Sequence, residues 1–123
     1  GDWYPWGTYL EGTNTKANFI LAFRHIYMVF KRARSNFKMQ LNYNCENPGD
    51  DNTSFMEWWP GEEYVDVVLC SAYNRSGISE WHTEWESLED IFAPGYDRML
   101  ELPGNKPLGV GETSTVEGPL KAQ

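Results

Sequence analysis

Val65-Asp66-Val67-Val68-Leu69-Cys70 is a nearly continuous apolar run that turns polar and aromatic at Ser71-Ala72-Tyr73-Asn74. Valine dominates it, and neither Gly nor Pro interrupts it. Such a run is expected of a strand covered on both faces in a parallel sheet. Residues 65–70 are therefore read as a strand, with a polar, aromatic loop from residue 74 to about residue 85. Upstream, residues 37–43 read as a second strand, followed by the turn-rich Asn47-Pro48-Gly49-Asp50-Asp51-Asn52. Downstream, Pro107-Leu108-Gly109-Val110-Gly111 reads as a third strand, with Glu112 at its C-terminal end.

Helices fall between the strands. Phe19, Phe23, Ile26, Phe30 and Ala33 recur at helical spacing after three candidate caps, Thr13, Asn14 and Thr15. Lys31, Arg32 and Arg34 suit the negative end of that helix, which is expected to stop near Ser35-Asn36. Ser87 can cap a second helix through Leu88, Ile91 and Phe92, with Tyr96, Met99 and Leu100 continuing its stripe past Pro94-Gly95. Strands alternating with helices imply βα units, an α/β class and a parallel sheet. The first twelve residues read as an aromatic loop broken by Pro5, Gly7 and Gly12.

At 123 residues the chain is long enough for one modest domain and well short of the roughly 250 of a complete αβ barrel. A net charge of −8 argues against nucleic acid or an anionic membrane as partner. No apolar run approaches the roughly 20 residues of a membrane span. Residues 1–38 carry six basic and two acidic side chains, and residues 39–123 carry four and sixteen; solvated faces are the ordinary meaning of such runs. Cys45 and Cys70 form no paired metal motif, and two buried thiols are the expected state. Neither His25 nor His82 has a partner at ligand spacing, so no metal and no cofactor are expected. Ser71 and Ser114 lack the G-x-S-x-G setting of a serine hydrolase. Asn52-Thr53-Ser54 and Asn74-Arg75-Ser76 match the glycosylation sequon, a short pattern that often arises by chance.

In parallel α/β folds the ligand lies beyond the carboxyl ends of the strands. Asn42-Tyr43-Asn44, Ser71-Ala72-Tyr73-Asn74 and Glu112-Thr113-Ser114 occupy those ends. Tyr43, Asn44 and Asn74 are accordingly candidate substrate-binding residues. Glu112, after Gly109-Val110-Gly111, is placed for covalent or acid–base work, and an exposed loop glutamate fits the pattern equally well. Aromatics make up 15% of the chain, with six Trp. Trp-lined clefts suit sugars, because axial C–H groups of a pyranose pack on aromatic faces. Trp3, Trp6 and Trp81 are the loop candidates for such a surface, whereas Trp58-Trp59 beside Pro60-Gly61 read better as residues that pin a loop.

Three segments together resemble glycoside hydrolase family 26, the endo-β-1,4-mannanases and their relatives on other β-glycans. Gly1-Asp2-Trp3-Tyr4-Pro5-Trp6-Gly7 is similar to the tail of the family motif H-E-x-N-G-x-W-Y-P-W-G after the fourth barrel strand. Residues 58–68, from Trp58-Trp59-Pro60-Gly61-Glu62-Glu63 onward, with Tyr73-Asn74, resemble the run through the sixth strand. Gly111-Glu112-Thr113-Ser114 resembles the end of the seventh. The resemblance implies that residues 1–123 are one partial catalytic domain, an incomplete (β/α)₈ TIM barrel from the end of the fourth strand to just past the seventh. It implies a retaining mechanism with Glu112 as nucleophile, Tyr73 orienting it, and Trp3 lining the subsite of the attacked sugar. The acid/base glutamate of H-E-x-N-G would stand just before Gly1. A β-mannan or related β-glycan is the implied substrate, and a secreted location is expected, with any leader outside this chain.

Two departures bear on sugar preference. Leu69 and Ser71 stand where the family's G-x-D-x-Y-N has Gly and Asp, and Leu41-Asn42-Tyr43-Asn44 stands where W-S-P-N is common. A competing expectation is an inactive half-barrel that binds carbohydrate, or that self-associates through its open sheet edges.

Overall fold

A computed structural model describes residues 7, 14–33, 36–46 and 53–117. Trp3 and Trp6, the Asn52 sequon and the turn at residues 47–52 lie outside the described residues. Three parallel strands form one sheet in the order β1 (Gln40–Asn44), β2 (Val67–Tyr73) and β3 (Leu108–Ser114). Helix α1 (Lys16–Arg32) precedes β1, and helix α2 (Leu88–Leu100) links β2 to β3. Two short 3₁₀ turns, Phe55–Trp58 and Glu62–Tyr64, lead into β2. The alternation expected from the apolar run is therefore present, and the class is α/β.

The boundaries differ for physical reasons. Residues 37–39 do not pair as strand, because Met39 is engaged by Asp66 instead. Asp66 Oδ2 accepts from the Met39 amide at 2.9 Å, and the Asp66 amide donates to the Met39 carbonyl at 2.9 Å. That amide bond, with Lys38 beside it, holds the Asp66 carboxyl below the usual carboxylate range. β2 continues through Ser71-Ala72-Tyr73, and β3 runs on past Gly111, so Glu112 lies within a strand rather than just after one. α1 starts at the cap Thr15, whose hydroxyl accepts from the Asn18 amide at 3.1 Å, and it ends at Arg32, short of Ser35. Ser87 caps α2 through a reciprocal box with Asp90, and those bonds lower the Asp90 carboxyl's pKa.

Period-2 alternation divides the sheet into two faces. One carries Leu41, Tyr43, Val68, Cys70 and Ala72, all buried, against Ile91 and Met99 of α2 and Phe55 of the first 3₁₀ turn. Tyr43 stacks on Phe55 with ring centroids 4.1 Å apart, and its hydroxyl donates to the Phe55 carbonyl. Arg98 lies over the Phe55 ring and donates to the Cys45 carbonyl. Trp58 and Trp59 are buried, so they do pin the segment before β2; Lys16 sits over the Trp58 ring and pairs with Glu57.

Cys45 and Cys70 are joined as a disulfide, not held as two thiols. The register explains it. Tyr43 pairs with Cys70, and the Cys45 amide donates to the Ser71 carbonyl, which brings the two Cα atoms to 5.2 Å. α2 rests directly on this bridge. A β-carbon built on Gly95 would lie 2.6 Å from the Cys45 Cβ and 2.8 Å from its Cα. Backbone cannot yield there without shifting β1. Gly95→Ala is therefore expected to destabilise the domain by about 1–3 kcal/mol, the usual cost of overpacking. Denaturant unfolding measures it; an unchanged midpoint would show that the helix can lift off the bridge.

Candidate functional site

The second face of the sheet carries Asn42, Asn44, Leu69, Ser71 and Tyr73 in register across β1 and β2. Its contribution from β3 depends on one irregularity. Cys70 pairs with Val110, yet Ala72 pairs with Thr113, so β3 holds one residue more than β2 between these points. This is a β-bulge, and such insertions re-aim side chains. Without it, Glu112 would pair with Ala72 and share the buried face. With it, Gly111-Glu112 spans the position opposite Ser71, and Thr113 takes the place opposite Ala72. The register thus places Glu112 and Tyr73 on adjacent strands at the C-terminal end of the sheet. Glu112 is exposed, and Tyr73 is half-buried with the Arg75 guanidinium 5.2 Å from its ring centre.

Other candidates separate by strand parity. Asn44 lies on the Tyr73 face, opposite Ser71. Tyr43, its neighbour, points the other way into the core at 8% exposure, and burial pushes its phenol well above the ordinary value. It is a packing residue and not part of this face. Asn74 is also buried: its Nδ2 donates to the Glu86 carbonyl at 2.8 Å and to Thr115 Oγ1 at 3.2 Å, and its Oδ1 accepts from the Ser76 amide. It ties both ends of the loop after β2 to the end of β3. That loop holds Trp81 at 87% exposure, at the same end of the sheet as Glu112. His82 in the loop bonds Ser79 Oγ at 2.7 Å. Among the described residues, no three His, Cys, Asp or Glu side chains are grouped to hold a metal, and no helix is long and apolar enough to cross a membrane.

Asn42 and Ser71 stand in the strand-end segments but are not among the residues expected to bind substrate or to carry catalysis. Their side chains pair across β1 and β2, Asn42 Nδ2 to Ser71 Oγ at 2.9 Å and Ser71 Oγ to Asn42 Oδ1 at 3.2 Å. The signal that finds them is the alternation Leu41-Asn42-Tyr43-Asn44, which puts the two asparagines on one side and the apolar residues on the other.

A face of this kind on a parallel sheet is common to many enzymes, so the decisive comparison is with known proteins. The family model described as "Glycosyl hydrolase family 26" matches residues 1–100. The chain belongs to glycosyl hydrolase family 26. Two curated relatives extend the likeness through β3. Endoglucanase H of Acetivibrio thermocellus is 35% identical over 119 residues, which is 95% of this chain and 13% of the relative. Mannan endo-1,4-beta-mannosidase A and B of Caldalkalibacillus mannanilyticus is 31% identical over 120 residues, 95% of this chain and 20% of the relative. The solved structure of GH26A from Muricauda sp. is similar in fold, with a TM-score of 0.56 at 22% identity over 96% of this chain and 34% of its own. The chain thus spans a fifth or less of these curated relatives.

Proposed function

We propose that the full-length protein is a retaining, endo-acting glycoside hydrolase of β-1,4-mannan-type polysaccharides. The observation that supports the reading is that Glu112 stands beside the irregularity of β3, on the strand next to Tyr73, at the C-terminal end of a parallel sheet in a family 26 chain. β1, β2 and β3 are then the fifth, sixth and seventh strands of the barrel, and residues 1–123 are one part of its catalytic domain.

In this reading a Glu112 carboxylate oxygen attacks the anomeric carbon as the glycosidic C–O bond breaks. The leaving oxygen takes a proton from an acid/base glutamate about 5–5.5 Å from the nucleophile. Water then attacks the glycosyl ester, gives its proton to that same residue, and frees Glu112. Tyr73 orients the nucleophile. Asn44 and Trp81, with Trp3 and Trp6, supply substrate contacts. The Cys45–Cys70 bridge supports a secreted location, because disulfides persist in oxidising compartments.

Two displacements at one carbon retain its configuration. Hydrolysis of β-manno-oligosaccharides by the full-length protein, followed by NMR before mutarotation, is expected to give the β-anomer first. The α-anomer would overturn the reading, and turnover of β-glucan alone would replace the substrate while keeping the mechanism. The isolated chain, whose β1 and β3 outer edges are unpaired among the described residues, is expected to self-associate; a monomer in sedimentation would contradict that.

A further inference from the structure

β3 is weakly held on its core side. Leu108 is half-buried and Val110 is 54% exposed, so the apolar pattern that normally sets a strand's register is poorly anchored here. Yet the position of Glu112 depends on a single extra residue in that strand. One side chain on the open face reaches the bulge.

The contacts at Gly111 identify it. A β-carbon built there would lie 2.7 Å from Asn42 Cγ and 3.0 Å from Ser71 Oγ. Asn42 belongs to β1, which is not a neighbour of β3 in the sheet. Its carboxamide therefore crosses over β2, bonds Ser71 at both polar atoms, and ends against the backbone of Gly111. The doubled hydrogen bond fixes the plane of the amide. The missing side chain of Gly111 is the space it occupies.

From this geometry we infer that Asn42, locked by Ser71, is the positioning residue for Glu112: a neutral strut across three strands that holds the bulge and with it the carboxylate. Neutrality matters as much as shape. An anionic side chain at this spot would stand against Gly111, the residue before Glu112, and oppose ionisation of that carboxyl. The asparagine supplies the same reach and the same acceptor for Ser71 without that charge.

The inference rests on the reading of Glu112 as nucleophile, and the test separates the two. Asn42→Ala, Asn42→Asp and Glu112→Gln are made in the full-length protein, and kcat, KM and the pH–rate profile are measured on soluble β-mannan and on β-glucan. Loss of the strut in Asn42→Ala is expected to lower kcat by about 10²-fold, the scale of a small misplacement of a reacting group, with KM little changed. Asn42→Asp is close to isosteric and keeps the acceptor, so it serves if the alanine variant does not fold. It is expected to move the acid limb of the profile upward by about half a pH unit or more, through like-charge repulsion. A purely structural residue would leave that limb in place. An inactive Glu112→Gln together with wild-type kcat in Asn42→Ala, or an unmoved acid limb in Asn42→Asp, overturns the positioning role alone. Retained turnover in Glu112→Gln overturns the nucleophile reading and this inference with it.

Discussion

Replacing Glu112 by alanine in the full-length protein is expected to lower polysaccharide turnover by about 10⁴-fold or more while leaving the fold intact. The magnitude follows from what is removed. The alanine has no atom to form the glycosyl ester, so the two-step path closes. Loss of a general acid is milder, typically about 10²–10⁴-fold, because solvent can still protonate some leaving groups. The fold should survive because Glu112 is exposed. Added azide gives a sharper check. A small anion in the vacated space attacks the anomeric carbon from the nucleophile's side and yields an α-glycosyl azide. Near-normal hydrolysis by the variant would remove Glu112 from the mechanism.

The second large effect concerns the disulfide. Cys45 and Cys70 close a loop over a separation of 25 residues, which in the chain-entropy account stabilises the native state by about 3.5 kcal/mol. The bridge also joins β1 to β2 on the core face and forms the surface on which Gly95 of α2 rests. The paired Cys45→Ser and Cys70→Ser variant is therefore expected to lose at least about that much stability, because two hydroxyls enter an apolar site. Denaturant unfolding with and without reductant measures it, since reduction of the unsubstituted protein should reproduce most of the loss. Equal midpoints in both conditions would show that packing alone holds this corner.

Much of this fold is legible in the sequence because β2 is a buried central strand. Its apolar run needs no partner to be recognised, and the helix signals of Thr15 and Ser87 are local. What escapes a linear reading depends on pairing. The disulfide requires the register of β1 on β2, which no spacing rule for two cysteines provides. The bulge at Gly111-Glu112 is invisible in a strand read alone, because an extra residue is defined only against a partner. Tyr43 and Asn74 illustrate the same limit from the other side. Both stand at strand ends, where ligands lie, yet parity turns Tyr43 inward, and hydrogen bonds commit Asn74 to its loop. The Leu41-Asn42-Tyr43-Asn44 alternation puts Asn44 on the open face, whereas the register of Glu112 is set by the irregularity in β3. The family motifs supplied what periodicity does not, namely which glutamate among many to consider.

Asn74 carries a consequence for making the protein. Its side-chain nitrogen, the atom that N-glycosylation would modify, is spent on the Glu86 carbonyl and Thr115. Oligosaccharide transfer in a eukaryotic secretory pathway occurs on the nascent chain, before those two bonds exist. Asn74-Arg75-Ser76 would be presented there as an open acceptor, and a sugar added at that moment would keep the loop after β2 from docking against β3. Yield from such a host would then be decided by a race between an enzyme in the membrane and the closing of a loop, and Ser76→Ala, which erases the acceptor without touching the Asn74 side chain, would end the race in favour of folding.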